Sequence, residues 1–252
     1  MPKIRVMPTL LFKDLGLVKG VAFDSWRRVG SAMQAVKVYN MREVDELVYL
    51  DITATSDGRP PDFETVDDLA DECFMPLTVG GGVRTLEHVR RLLKVGADKV
   101  AVNTAAVEQP ALIREIADRF GSQCVVVSID ARRRADGRYE SYTHAGRQPV
   151  GKDPAVLAND AETMGAGEIL LTSIDRDGTL QGYDVELTRL VCDAVSIPVI
   201  ASGGAGTYAH MADVLRDGRA SAVAAASMYH FTEQTPLAAK QYLREAGFSV
   251  RL

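Results

Sequence analysis

The chain has 252 residues, 46% of them hydrophobic and 25% charged, with a formal net charge of −5. That apolar fraction supplies a large core, no run approaches the ~18 apolar residues of a membrane span, and the acidic balance argues against a nucleic-acid surface. Cys73, Cys124 and Cys192 are few, odd in number and without metal-ligand spacing, so they read as reduced cytoplasmic thiols packed as small apolar groups. The opening residues 1–5 enter a strand directly and lack a signal-peptide apolar region.

In chain order, apolar β-branched runs predict strands over residues 5–12, 46–52, 75–79, 99–102, 124–129, 168–172, 198–201 and 221–225. Between them, apolar residues at three- and four-residue spacing predict helices, among them 85–95, 110–120, 154–164 and 186–195. Gly96, Gly121, Gly165 and Gly218 stand where glycines close helices. The run Arg132–Arg134, followed by Asp136-Gly137, reads as a solvated hairpin face.

Residues 76–107 also lie over 198–229 without a gap at an offset of 122, with seven coincidences: Pro76, Gly81, Gly82, Thr85, His88, Leu93 and Gly96 repeat as Pro198, Gly203, Gly204, Thr207, His210, Leu215 and Gly218. So long a period excludes a short-repeat solenoid. Eight alternating units in one chain of this size, written as two halves, predict a single-domain (β/α)8 TIM barrel over 1–252 with two-fold half-barrel pseudosymmetry.

Barrels carry their chemistry at the C-terminal ends of the strands. Read there in order, the chain offers Leu11, Asp51, Gly80-Gly81-Gly82, Asn103-Thr104, Asp130, Thr172 with Asp177-Gly178, Ser202-Gly203-Gly204, and Ala226-Ser227. Glycines followed by a helix start bring backbone N–H groups close to an anion. Gly82 with Asn103-Thr104 makes one such cradle and Gly204 with Ala226-Ser227 the other. The 122-residue offset sets them on opposite sides of the mouth, a layout that suits a long ligand with a phosphate at each end. Tight turns alone are the structural alternative for these glycines.

The segments Leu50-Asp51-Ile52-Thr53-Ala54, Asn103-Thr104-Ala105-Ala106-Val107, Val126-Val127-Ser128-Ile129-Asp130 and the block from Gly165 to Gly178 resemble the cyclase subunit of imidazole glycerol phosphate synthase, and the resemblance runs essentially end to end. It implies an enzyme that takes ammonia from a separate glutaminase subunit, a heterodimer partner, and cleaves and cyclises a bis-phosphorylated ribulosyl intermediate of histidine biosynthesis. No metal or other cofactor is implied. Carried over residue by residue, the resemblance makes Asp130 a general acid/base and Lys19 a lysine that a mobile lid brings over the substrate. It places Asp51, Thr172, Asp177 and Gly178 at the substrate, Arg5, Glu46, Lys99 and Glu168 in a gate for ammonia, and Asp98 and Gln123 near the glutaminase-docking face.

Leu11 departs from the pattern, standing where the family's other catalytic aspartate is expected. A leucine transfers no proton, and losing one of two cooperating acid/base groups removes about 10²–10⁴ of rate. Asp14, three residues on, substitutes only if its loop is rebuilt. The stretch around Leu11 also resembles a divergent branch associated with surface-polysaccharide gene sets, which implies an alternative role as ammonia conduit and glutaminase activator for a sugar amidotransferase. A related isomerase of the same pathway, which needs no ammonia, is disfavoured by the four gate residues and the block around Asp177.

Overall fold

The computed structural model describes residues 3–14, 16–42 and 44–251, so Met1 and Pro2 of the opening segment lie outside the described residues. The first half runs β1 (Arg5–Lys13), β2 (Gly16–Val21), β3 (Asp24–Gly30), α1 (Ala32–Met41), β4 (Leu47–Asp51), α2 (Phe63–Asp71), β5 (Leu77–Gly80), α3 (Leu86–Lys94), β6 (Lys99–Val102), α4 (Thr104–Glu108) and α5 (Ala111–Phe120). The second repeats that order as β7 (Val125–Arg133), β8 (Tyr139–Thr143), β9 (Gln148–Pro149), α6 (Pro154–Thr163), β10 (Glu168–Ser173), α7 (Val185–Cys192), β11 (Val199–Ser202), α8 (Tyr208–Arg216), β12 (Ala222–Ala225), α9 (Ser227–Phe231) and α10 (Pro236–Glu245). The pairs α2 and α7, α3 and α8, and β5 and β11 each begin 122 residues apart.

Strands β1, β4, β5, β6, β7, β10, β11 and β12 pair in parallel in that order, and β12 closes on β1. This is the (β/α)8 barrel that the strand pattern predicts. Each half adds antiparallel strands to its first barrel strand, β2 and β3 beyond β1, and β8 and β9 beyond β7.

The repeated Thr-x-x-His is a helix start. Thr85 and Thr207 accept from the N–H of His88 and His210, while each imidazole Nδ1 accepts from the backbone N–H of Arg84 (3.4 Å) or Gly206 (3.3 Å). That reciprocal arrangement satisfies helix-terminal donors as a capping box does. Gly96, Gly121 and Gly165 close their helices with positive φ, as expected. Gly218 does not: Arg219 takes the left-handed conformation (φ 62°), and Gly218 is small because a Cβ there would sit 2.6 Å from the Val214 carbonyl.

The period of two along a strand sorts the barrel interior into layers. Arg5, Met7, Thr9 and Leu11 share the inner face of β1. The first joins a charged layer at the strand starts, Met7 lies in an apolar cluster with Val48, Val126, Leu170 and Ile200, and Thr9 and Leu11 line the mouth.

Candidate active site

At the strand ends the mouth opens into a cavity of about 1340 Å³, counted out to solvent. Asp130 reaches its wall from β7 and is 8% exposed. The Asn103 amide nitrogen lies 3.4 Å from Asp130 Oδ2, and within 3.0 Å of the Ser128 carbonyl and 3.2 Å of that of Tyr142. Burial, with the Asp177 carboxylate adding to it, pushes the Asp130 carboxyl up to about 7. A carboxyl titrating there can both give and take a proton at neutral pH.

Strand register fixes what faces it. Thr172 of β10 pairs with Asp130, and Leu50 of β4, which stands 122 residues before Thr172, pairs with Leu11. Leu11 is therefore the two-fold counterpart of Asp130, and it too lines the cavity. Asp14 is exposed in the β1–β2 turn and is not part of the wall, so the loop is not rebuilt to bring it in.

Lys19 sits in β2, a strand of a hairpin rather than a loop, and is 2% exposed. Its ammonium donates to the Thr9 carbonyl at 3.0 Å. Burial disfavours its charge while Asp177 supports it, and burial likewise raises Asp177 against the pull of Lys19. The hairpin roofs the mouth. Ala22 N donates to the Asp177 carbonyl at 2.9 Å, and a Cβ on Gly178 (φ 73°) would collide with the Gly20 carbonyl, so only glycine lets the two backbones meet. Phe23 and Trp26 line the cavity from above, and the Arg27 guanidinium stacks 3.9 Å from the Phe231 ring of α9.

Asp51 lines the same wall, but both its oxygens are engaged: Oδ1 accepts from Thr53 N, Thr53 Oγ1 and Ala54 N, and Oδ2 pairs with Arg59 at 3.2 Å. It holds the loop that frames the first cradle.

The residues expected in the two cradles, Gly82 with Asn103-Thr104 and Gly204 with Ala226-Ser227, all line the cavity. Helices α2, α3, α6, α7, α8 and α10 each begin under an Asp or Thr side chain that accepts a backbone N–H. The short α4 and α9, which start at Asn103-Thr104 and Ala226-Ser227 on the cavity wall, have no such side chain. Gly82 N donates weakly to Thr55 Oγ1 at 3.3 Å, and Thr104 Oγ1 accepts from His144 N at 3.1 Å. Gly204, at φ 101°, approaches the Gly182 carbonyl too closely for a Cβ.

At the other end of the barrel, Arg5 pairs with Glu46 at 2.8 Å and Glu168 at 3.0 Å, and Lys99 pairs with the same two at 2.8 and 3.2 Å. Thr78 Oγ1 donates to Glu46 at 2.8 Å. The four gate candidates thus form one closed ring. Burial works against the Arg5 charge, and Glu168 and Glu46 more than offset it. Asp98 and Gln123 are exposed near this face; Asp98 accepts from Leu77 N at 2.8 Å and Gln123 donates to the Phe120 carbonyl at 3.2 Å.

A family model described as histidine biosynthesis protein matches residues 5–235. The chain belongs to that family. Among the described residues, no cluster of His, Cys, Asp and Glu could hold a metal ion, and no helix is long and apolar enough to cross a membrane. The sequence reading missed Thr9, whose buried hydroxyl near Leu11 has no hydrogen-bond partner among the described residues, as well as Trp26 and Arg84 on the wall. The period of two along β1 carried the signal for Thr9, and Arg84 stands two residues after Gly82 in sequence.

Proposed function

We propose that this chain is the cyclase-type barrel subunit of a glutamine amidotransferase, of the imidazole glycerol phosphate synthase kind. It receives ammonia at the strand-start face from a glutaminase subunit that docks near Asp98 and Gln123. The closed ring of Arg5, Glu46, Lys99 and Glu168 carries this reading, because it lies on the barrel axis opposite a mouth that holds Asp130. An isomerase needs no such gate. A bis-phosphorylated ribulosyl ligand spans the Gly82–Thr104 and Gly204–Ser227 cradles, with Thr172 and Gly178 beside it, and Lys19 holds the hairpin roof through its bond to the Thr9 carbonyl.

Leu11 favours a second reading, in which the barrel is an ammonia conduit and glutaminase activator for a separate sugar-modifying amidotransferase. Proton transfer from Asp130 alone leaves the reaction short of one partner, at a cost of about 10²–10⁴ in rate. One experiment separates the readings. The purified chain is given ammonium salt and the bis-phosphorylated ribulosyl substrate, and imidazole glycerol phosphate is assayed. Turnover supports the cyclase; its absence, with a glutaminase complex still forming at micromolar concentration, supports the conduit. No complex at that concentration contradicts both.

A further inference from the structure

The two cradles are built on one repeat, so differences between them stand out against an internal control. At the first cradle the rim carries Arg59 and Arg84; 122 residues later the same positions hold Gln181 and Gly206. Arg84 is the one Lys or Arg on the cavity wall among the described residues, since Lys19 lies behind that wall. Its guanidinium donates to the Thr55 carbonyl at 3.0 Å and forms no ion pair with a carboxylate of the described residues. Of the acids on the same wall, Asp51 pairs with Arg59 and Asp130 lies against the Asn103 amide, and none of them forms an ion pair with Arg84 among the described residues. In the second half Arg176 stands beside Gly204, but its side chain lines a separate outer cleft with Arg133 and Glu186.

We infer that Arg84 makes the Gly82–Thr104 cradle the tighter of the two phosphate sites and so sets which end of an elongated bis-phosphorylated ligand binds on which side of the mouth. The inference rests on the proposed reading of both cradles as phosphate sites. A guanidinium presents a planar fork of donors that matches phosphate oxygens, and its charge strengthens each bond. The second cradle relies on backbone donors and the Ser227 hydroxyl, and its neighbours α9 and Gly178 are the parts that the hairpin covers.

Crystals soaked in graded inorganic phosphate give the occupancy of each cradle separately. The first cradle should reach half-occupancy at roughly a tenth of the phosphate concentration that the second needs, in keeping with one charge-assisted donor pair. Arg84→Gln should abolish that difference, and Arg84→Lys, which keeps the charge and loses the fork, should restore part of it. In the unaltered protein, added sodium chloride should weaken the first cradle more than the second, a reading that needs no variant. Equal filling, earlier filling of the second cradle, or no effect of Arg84→Gln overturns the inference while leaving the phosphate reading intact. Both cradles empty at every concentration overturns the inference and the phosphate reading together.

Discussion

At the strand starts, Glu46 has a side chain only 3% exposed, yet it is held by Arg5, Lys99 and Thr78 within 2.8 Å each. At the strand ends, Asp130 is almost as buried, but among the described residues its one side-chain hydrogen-bond partner is the Asn103 amide at 3.4 Å, and no cation pairs with it. The same residue chemistry at the same burial therefore has two outcomes. Glu46 is tied into a ring of opposite charges, whereas Asp130, set in a buried wall with another acid near it, is driven toward its neutral form.

The comparison breaks most visibly if the ring is opened. Glu46→Ala removes one of the two carboxylates that Arg5 and Lys99 share and should cost about 3 kcal/mol in denaturant unfolding, because two partly buried cations are then left to Glu168 alone. A loss under 1 kcal/mol would mean that the ring is loosely held and solvated.

Asp130 should behave in the opposite way. Its carboxyl keeps a proton to about 7 in the fold and releases it near the ordinary value of about 4 when unfolded. Unfolding therefore releases a proton between those pH values, and stability falls as pH rises through that window. Asp130→Asn should leave stability at pH 4 nearly unchanged and raise it at pH 8, by at most about 4 kcal/mol. A variant less stable than the parent at pH 8 would show that the carboxylate is satisfied by partners after all.

Gly178→Ala tests the roof between these extremes. Its Cβ meets the Gly20 carbonyl at a backbone conformation that disfavours side chains, so the hairpin should lift, at a cost of about 1–3 kcal/mol, and the emission of Trp26 should shift to the red. Unchanged emission would place the hairpin's hold elsewhere, at Arg27 and Phe231. The smallest effect belongs to the exposed Arg133–Glu186 pair, where Arg133→Ala should change stability by less than about 1 kcal/mol.

Much of this was legible in the sequence, for reasons that differ by region. The eight barrel strands are buried on both faces and read as apolar runs, and the 122-residue offset found the half-barrels because cradle glycines and helix caps admit few residue types. Arg5, Glu46, Lys99 and Glu168 each sit at the foot of such a run, which is why the four meet in one ring of ion pairs. The hairpins were not found. Gly16–Val21 carries two glycines and a lysine, and Asp24–Gly30 is mostly exposed, so neither shows the period of a core strand. Lys19 consequently looked like a loop residue, although tertiary contacts bury it against Thr9. The occupation of Asp51 by its own loop and by Arg59 depends on turn geometry that residue types alone do not specify.

Leu11 is the position where the two-fold symmetry of the barrel and the chemistry of its mouth disagree, and one assay reads it directly. Ammonium-dependent formation of imidazole glycerol phosphate by the unaltered protein should be slow under the cyclase reading and absent under the conduit reading, and under both it should be raised by Leu11→Asp, which returns a second carboxyl to the position related to Asp130. Turnover by the unaltered protein that Leu11→Asp does not raise would contradict the account, because it would mean that the mouth already holds a second proton-transfer group.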